Sequence, residues 1–362
     1  MIANDDARYM ALALNLGRRG MGRVWPNPAV GCVIVKDGRV VGRGWTADGG
    51  RPHAEPQALV QAGHLAKDAT AYVTLEPCAH HGQTPPCAAG LIAAKVARVV
   101  IASRDPDPRV AGRGVEMLRA AGIDVTEGVL DAQADADHAG FFSRITQKRP
   151  FVTLKLATSL DGRIATATGE SQWITGPDAR RAVHMMRARH DAVMVGAGTA
   201  RADDPSLTVR GLGIDRQPVR VVVSRNLSLP LDGQLAKTAR DIPVWLCHAE
   251  RADPSAWTDL GAESLPCAAV HGQLDPAAIL KALAEKGLTR VFCEGGGALA
   301  ASLLAADVVD ELVVFQAGLT IGAEGTPCIA AMGVDKLANA PRFALHSVET
   351  VGTDIIQRWR KA

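Results

Sequence analysis

At 362 residues the chain is long enough for two domains, each able to bury its own core. A net charge of +2, with 47% hydrophobic and 22% charged residues, fits an ordinary globular protein, and 4% aromatics with no long Lys/Arg run leaves little surface for nucleic acid. The start, Met1 to Asp6, has no basic region followed by an apolar run, no stretch reaches the ~18 apolar residues of a membrane span, and seven cysteines is an odd count; a cytoplasmic protein without a disulfide framework is expected.

The first half alternates strand and helix. Val30 to Val35, the turn Asp37-Gly38 and Val40 to Gly44 read as a hairpin. Ala54 to Ala62 reads as a short helix with Pro56 in its first turn, which places His53 and Glu55 at its N-terminus. Ala71 to Leu75 reads as a buried strand delivering Cys78; after the loop Ala79 to Pro86, Cys87 opens a helix over Ala88 to Lys95, and Arg98 to Ala102 is the next strand. The expected class is α/β, a sheet covered by helices. Asp131 to Asp137, acidic and alanine-rich, reads as a solvated helix face.

His53, Cys78 and Cys87 are three zinc ligands, and Glu55 is a nearby carboxylate outside the set. Two soft thiolates and an imidazole suit Zn²⁺ better than Mg²⁺ or Ca²⁺, and three protein ligands leave the fourth position for the water of a hydrolytic site. Zinc brings that water to a pKa near ~7, and Glu55 is placed to shuttle protons. His-x-Glu followed by Pro-Cys is the pattern of nucleobase deaminases, although there the cysteines are spaced Cys-x-x-Cys and here eight residues separate them. The plain alternative for any one of these residues is a packed core position; the constellation together argues against it. Cys32, Cys247, Cys267, Cys293 and Cys328 read as small buried apolar residues without a role.

The loop Glu76-Pro77-Cys78-Ala79-His80-His81-Gly82-Gln83-Thr84-Pro85-Pro86-Cys87 resembles the deaminase half of the bifunctional riboflavin-biosynthesis deaminase/reductase family. Pro26-Asn27-Pro28-Ala29-Val30-Gly31-Cys32 and Asp105-Pro106-Asp107-Pro108-Arg109-Val110-Ala111-Gly112-Arg113-Gly114 are similar to it as well. The resemblance implies a cytidine-deaminase-like α/β/α domain acting on a 2,5-diaminopyrimidinone that carries a ribosylamino 5′-phosphate, with Asn27 and His80 as substrate contacts. Read by themselves, Asn27 is a turn residue between prolines and His80 a loop residue. The family often has histidines where this chain has Trp25 and Thr46.

The polar run Arg144 to Pro150 breaks the pattern, and a new strand starts at Phe151 to Leu156, so domains are expected over 1–147 and 148–362. The second half has no metal-ligand cluster but two glycine turns at strand ends: Asp191 to Val195 runs into Gly196-Ala197-Gly198-Thr199, and Arg290 to Glu294 into Gly295-Gly296-Gly297. Backbone amides at such turns can approach a phosphate, although each alone is also an ordinary tight turn. Val219 to Val223 ends in Ser224-Arg225, which suits the ribose 2′-phosphate of NADP or is an exposed arginine at a loop start.

Lys155 to Arg163, Ser171-Gln172-Trp173-Ile174-Thr175 and Ala202 to Arg210 are similar to the reductase half of the same family, in the family's order. That resemblance implies a dihydrofolate-reductase-like domain using NADPH, with Ala157, Trp173, Thr199, Asp203, Ser224, Gly296, Gly297, Ala298, Leu299, Ala300, Ala301 and Ser302 at the cofactor. Ser171, Arg187, Leu207, Arg210 and Glu294 would hold the sugar phosphate, and Lys155 is either a proton donor or an ion-pair partner. The expected cofactors are Zn²⁺ and NADPH, and the expected partner is a small-molecule pyrimidine nucleotide; the sequence leaves homo-oligomerisation open. Two other readings differ in what they require. A nucleic-acid base deaminase needs a basic stripe, and a non-catalytic zinc scaffold needs a fourth protein ligand and a dispensable Glu55.

Overall fold

The computed structural model describes residues 4–80, 85–108, 110–270 and 272–362; His81, Gly82, Gln83, Thr84 and Arg109 of the quoted motifs lie outside them. The chain divides into two compact units, Met1–Lys148 and Arg149–Ala362. Among the described residues no helix is long and apolar enough to cross a membrane.

The first unit is built on strands β1 (Gly31–Lys36), β2 (Arg39–Trp45), β3 (Thr70–Leu75), β4 (Arg98–Ser103) and β5 (Asp124–Glu127), in the order β2-β1-β3-β4-β5. β1 is antiparallel to β2 and β3, whereas β3, β4 and β5 run parallel. The period of two in the strands sorts side chains onto two faces. Cys32, Ile34, Ala71, Val73, Val99 and Ile101 pack with helices α2 (Ala54–Ala62), α3 (Cys87–Ala93) and α4 (Arg113–Ala120), while Val33, Val35, Tyr72, Val100 and Ala102 meet α1 (Asn4–Gly17) and α5 (Asp131–Thr146).

Two local devices place the helices that matter. A Cβ added at Gly44 would stand 2.0 Å from the Ala54 carbonyl oxygen, so the bare glycine lets the first turn of α2 lie directly on β2. The helix expected to reach Lys95 stops at Ala93, because Lys95 adopts φ 56° and the following Val96 N–H turns back to the Leu91 carbonyl, closing the helix. The acidic stretch at the start of α5 is largely exposed, apart from Ala134 in the core and Asp137, which pairs with Arg18 at 2.7 Å.

The second unit carries β6 (Phe151–Thr158), β7 (Arg163–Ala165), β8 (Ala192–Gly196), β9 (Val219–Val223), β10 (Val244–Ala249), β11 (Glu263–Cys267), β12 (Ala269–Val270), β13 (Gln273–Leu274), β14 (Arg290–Cys293), β15 (Glu311–Gln316), β16 (Thr326–Pro327), β17 (Phe343–Val351) and β18 (Asp354–Lys361). Its main sheet has the order β11-β10-β9-β8-β14-β6-β15-β18-β17, parallel from β11 to β15 and antiparallel through the last two. Helices α6 (Pro177–Ala188), α7 (Ala197–Asp203), α8 (Gln234–Lys237), α9 (Ser255–Thr258), α10 (Pro276–Glu285) and α11 (Gly297–Ala305) connect the strands. Strands buried on both faces read as continuous apolar runs, which is why Ala192-Val193-Met194-Val195 and Val244 to Ala249 show no alternation.

Candidate metal centre and cofactor cavity

His53 is the residue before α2, in extended conformation, and Cys87 is the first residue of α3. Cys78 comes three residues after β3, and the Cys87 N–H donates to its sulfur at 3.3 Å. The His53 Nδ1 lies 3.3 Å from the Cys87 Sγ and 3.8 Å from the Cys78 Sγ. A tetrahedral zinc with ordinary Zn–N and Zn–S bonds separates nitrogen from sulfur by about 3.6 Å, so the donor set fits that ion. Among the described residues these three form the group of His, Cys, Asp or Glu side chains close enough to share a metal; Glu55 is not in it. Among the described residues no fourth His, Cys, Asp or Glu joins the set.

The electrostatics suit a cation. Cys78 is drawn down to about 4, chiefly because the Cys87 thiol donates to its sulfur, and Cys87 is pushed up by the same shared proton and by burial. A divalent ion bound by the three residues would take the place of that proton. Glu55 is 3% exposed, and burial together with the neighbouring Cys78 sulfur raises its pKa.

The loops around the centre are tied by groups without a side-chain signature. The Glu76 carboxylate accepts from the backbone N–H of Gly114 at 2.9 Å, Gly112 at 3.0 Å, Val115 at 3.3 Å and Asp105 at 3.4 Å. One carboxylate thus clasps both ends of the Asp105–Gly112 loop and the start of α4 onto the turn that carries Cys78. Thr46 is 2% exposed and spends its hydroxyl on the backbone, accepting from Val30 N–H at 3.0 Å and donating to the Pro28 carbonyl at 2.9 Å. It therefore shapes the Asn27 loop instead of facing a ligand. Asn27 donates to the Gly50 carbonyl at 3.3 Å, and half-buried His80 keeps a buried Nδ1 with no hydrogen-bond partner among the described residues.

In the second unit both glycine turns open onto one cavity of about 800 Å³. It lies at the carboxyl ends of β6, β8, β9 and β14, where doubly wound sheets bind nucleotides. Gly296 N–H donates to the Thr199 hydroxyl at 3.1 Å, which links the two turns. Of the residues expected at the cofactor, Ala157, Thr199, Asp203, Ser224, Gly296, Gly297, Ala298, Leu299 and Ser302 line the cavity, and so do Ser171 and Glu294 of the sugar-phosphate set.

The remaining expectations fall elsewhere. Ala300 and Ala301 are buried on α11, Leu207 lies in the core, and Trp173 is 67% exposed with the Arg180 guanidinium 4.7 Å from its ring. Arg210 is exposed, its backbone N–H bonded to His184. Arg187 meets the cavity through Glu294, which it holds at 2.5 and 3.1 Å, with Lys155 3.9 Å from the same carboxylate. Burial pushes Glu294 upward, but Arg187 and Lys155 hold it below its usual value, and burial lowers Lys155. Arg225, read in the sequence with Ser224, lines the cavity as well, and so do Arg201 and Gln273, which the sequence reading did not single out.

A model of the cytidine and deoxycytidylate deaminase zinc-binding region matches residues 3–103, and one of the RibD C-terminal domain matches 150–357. The riboflavin biosynthesis protein RibD of Escherichia coli is 43% identical over 361 residues, covering 97% of this chain and 98% of that one. The chain belongs to the RibD family. The Aquifex aeolicus RibD is 40% identical with 98% of both chains covered. Acinetobacter baumannii RibD superposes at a TM-score of 0.89 with 38% identity and 99% coverage of both chains. A Thermotoga maritima structure described as a diaminohydroxyphosphoribosylaminopyrimidine deaminase/5-amino-6-(5-phosphoribosylamino)uracil reductase follows at 0.88, 36% and 99%. The fold is thus a cytidine-deaminase-like unit joined to a RibD-type, dihydrofolate-reductase-like unit, and the RibD protein is a bifunctional deaminase and reductase of riboflavin biosynthesis that uses zinc and NADPH.

Proposed function

We propose that this RibD protein hydrolyses the 2-amino group of 2,5-diamino-6-ribosylamino-4(3H)-pyrimidinone 5′-phosphate and then reduces the ribosyl group of the product, 5-amino-6-(5-phosphoribosylamino)uracil, to ribityl. The observation that carries the reading is the pairing of a three-ligand metal centre, with buried Glu55 outside the ligand set, and a cavity floored by two glycine turns.

His53, Cys78 and Cys87 would hold zinc, which when bound supplies a water acidic enough to act as nucleophile at neutral pH. Glu55 would take one proton from the attacking water and give it to the pyrimidine ring nitrogen, then take the second from the new C2 hydroxyl and give it to the amine, which leaves as ammonia while C2 becomes a carbonyl. Asn27 and His80 would orient the pyrimidine, and the buried Nδ1 of His80, without a hydrogen-bond partner among the described residues, supports a ligand contact there. In the second unit NADPH supplies the hydride. A ribosylamine opens to an imine; hydride at C1′ and a proton at nitrogen complete the ribitylamine. Glu294 would accept from sugar hydroxyls while Arg187 fixes its carboxylate; Arg210, exposed outside the cavity lining, would contact the 5′-phosphate, and the Lys155 ammonium, 3.9 Å from Glu294, would assist the reduction. A small-molecule substrate and a cytoplasmic setting go with this reading.

The test is to follow ammonia release and NADPH oxidation separately in purified protein. Glu55→Ala is expected to lose ammonia release by about 10²- to 10⁴-fold, and Arg210→Ala to raise the KM of the reduction with deamination intact. Normal deamination by Glu55→Ala overturns the proton-shuttle role.

A further inference from the structure

Arg210 stands on a segment whose backbone is paired by side chains. Leu207 anchors the segment in the core and takes the left-handed region, at φ 53°. Gln217 then accepts the Val209 N–H at 2.7 Å and donates to the Val209 carbonyl at 3.2 Å. On α6, His184 and Arg187 are three residues apart and share one face of the helix. Both reach the same segment. Arg187 Nη1 donates to the Thr208 carbonyl at 2.9 Å, His184 Nδ1 lies 3.1 Å from that carbonyl, and the Arg210 N–H donates to the same Nδ1 at 3.2 Å. Arg187 also grips Glu294 on the cavity wall, so the imidazole is the last link between that wall and the Arg210 backbone.

One ring nitrogen cannot serve both neighbours in the same state. With a proton, Nδ1 donates to the Thr208 carbonyl and opposes the Arg210 N–H; without one, it accepts from Arg210. The Thr208 carbonyl already has Arg187, which leaves the Nδ1 lone pair for Arg210. Charge favours the same choice. The charged groups acting on the ring are Arg187 on its own helix, Arg210 on the segment and Glu294 after β14; burial and the two guanidiniums hold its pKa below the usual value, against the Thr208 carbonyl and Glu294. At neutral pH the ring is therefore uncharged, with its proton on Nε2. We propose that His184 is a positioning residue of the reduction, whose Nδ1 fixes the Arg210 backbone so that the guanidinium is presented to the 5′-phosphate of the substrate. Acid undoes the arrangement, because a protonated ring turns Nδ1 into a donor that keeps Thr208 and gives up Arg210. The proposal rests on reading Arg210 as the phosphate contact.

Steady-state reduction of the deaminated substrate by the full-length protein tests it. His184→Ala is expected to raise the KM for that substrate about fivefold, the order of one hydrogen bond, with kcat and the KM for NADPH within about twofold. Asn places an amide oxygen where Nδ1 stood and does not titrate, so His184→Asn should bring KM at neutral pH back to within about twofold of the parent. Below about pH 6.5 the parent's KM should climb more steeply than that of His184→Asn, since the second ionisation of the phosphate, near about 6, acts on both alike. In an Arg210→Ala background, adding His184→Ala should raise KM less than about twofold further. An unchanged KM in His184→Ala, a loss spread over kcat and the NADPH KM, a penalty of full size in the Arg210→Ala background, or parallel pH profiles of the parent and His184→Asn would each overturn the proposal and leave Arg210 as the phosphate contact. If His184→Ala does not fold, the pH comparison decides alone. If Arg210→Ala by itself leaves KM unchanged, the phosphate reading fails and the proposal fails with it.

Discussion

Glu55 shows how much a single environment decides. A carboxyl that is 3% exposed beside the Cys78 sulfur holds its proton more tightly than one in water. Burial acts in the opposite sense on His190. Its Nδ1 bonds the Met186 carbonyl at 2.7 Å and its Nε2 the Thr153 hydroxyl at 3.1 Å, so the neutral ring is satisfied, and burial pushes its pKa down to about 3. The unfolded chain takes up that proton near about pH 6.5, whereas the native state refuses it. Stability from this group is therefore complete above about 6.5 and declines as pH falls toward 3, by up to about 1.4 kcal/mol per pH unit. Denaturant unfolding of the parent and of His190→Gln between pH 7 and 4.5 should show the parent losing stability faster; parallel curves would remove His190 as the cause.

At the scale of elements, the metal centre depends on how a strand and two helix starts are fixed, and Glu76 and Gly44 do much of that fixing. Glu76→Ala leaves four backbone N–H groups at the Asp105 loop and the start of α4 without their acceptor. A cost of about 1–3 kcal/mol for such groups is expected, together with a larger fall in deamination than in NADPH oxidation, measured on the same preparation. Equal losses in both half-reactions would make Glu76 a general stabiliser. Gly44→Ala drives a methyl into the Ala54 carbonyl, and about 1–3 kcal/mol of destabilisation with weakened zinc retention is expected from overpacking at that position. Unchanged metal content and unfolding midpoint would show that α2 shifts at no cost.

These two residues also mark where sequence reading stops. His53, Glu55, Cys78 and Cys87 were legible because few residue types ligate zinc or carry protons, and their spacing placed them at strand and helix ends. Glu76 was not, since its partners are backbone N–H groups lying 29 to 39 positions away and carry no side-chain signature. The glycine turns after β8 and β14 announced a phosphate-sized opening, but which face of Gly297–Ala305 meets it could not be read from a helix that, apart from Ser302, carries only glycine, alanine and leucine. There Ala298, Leu299 and Ser302 line the cavity, while Ala300 and Ala301 go to the core. Thr46 was legible only as a departure from the family; its hydroxyl bonds to Pro28 and Val30 explain what the position does instead.

At the scale of the whole molecule, two units with separate cores carry two half-reactions that need different helpers, a metal ion in one and a dinucleotide in the other. The account then requires that the first half-reaction can be silenced without touching the second. The direct measurement is to strip the metal with a chelator and assay each step alone: ammonia from the diaminopyrimidine substrate, and NADPH oxidation with the deaminated substrate supplied. Ammonia release is expected to stop and to return with about one equivalent of Zn²⁺, while NADPH oxidation continues at its original rate. Ammonia release that persists in metal-free protein would contradict the claim that His53, Cys78 and Cys87 hold the ion on which deamination depends.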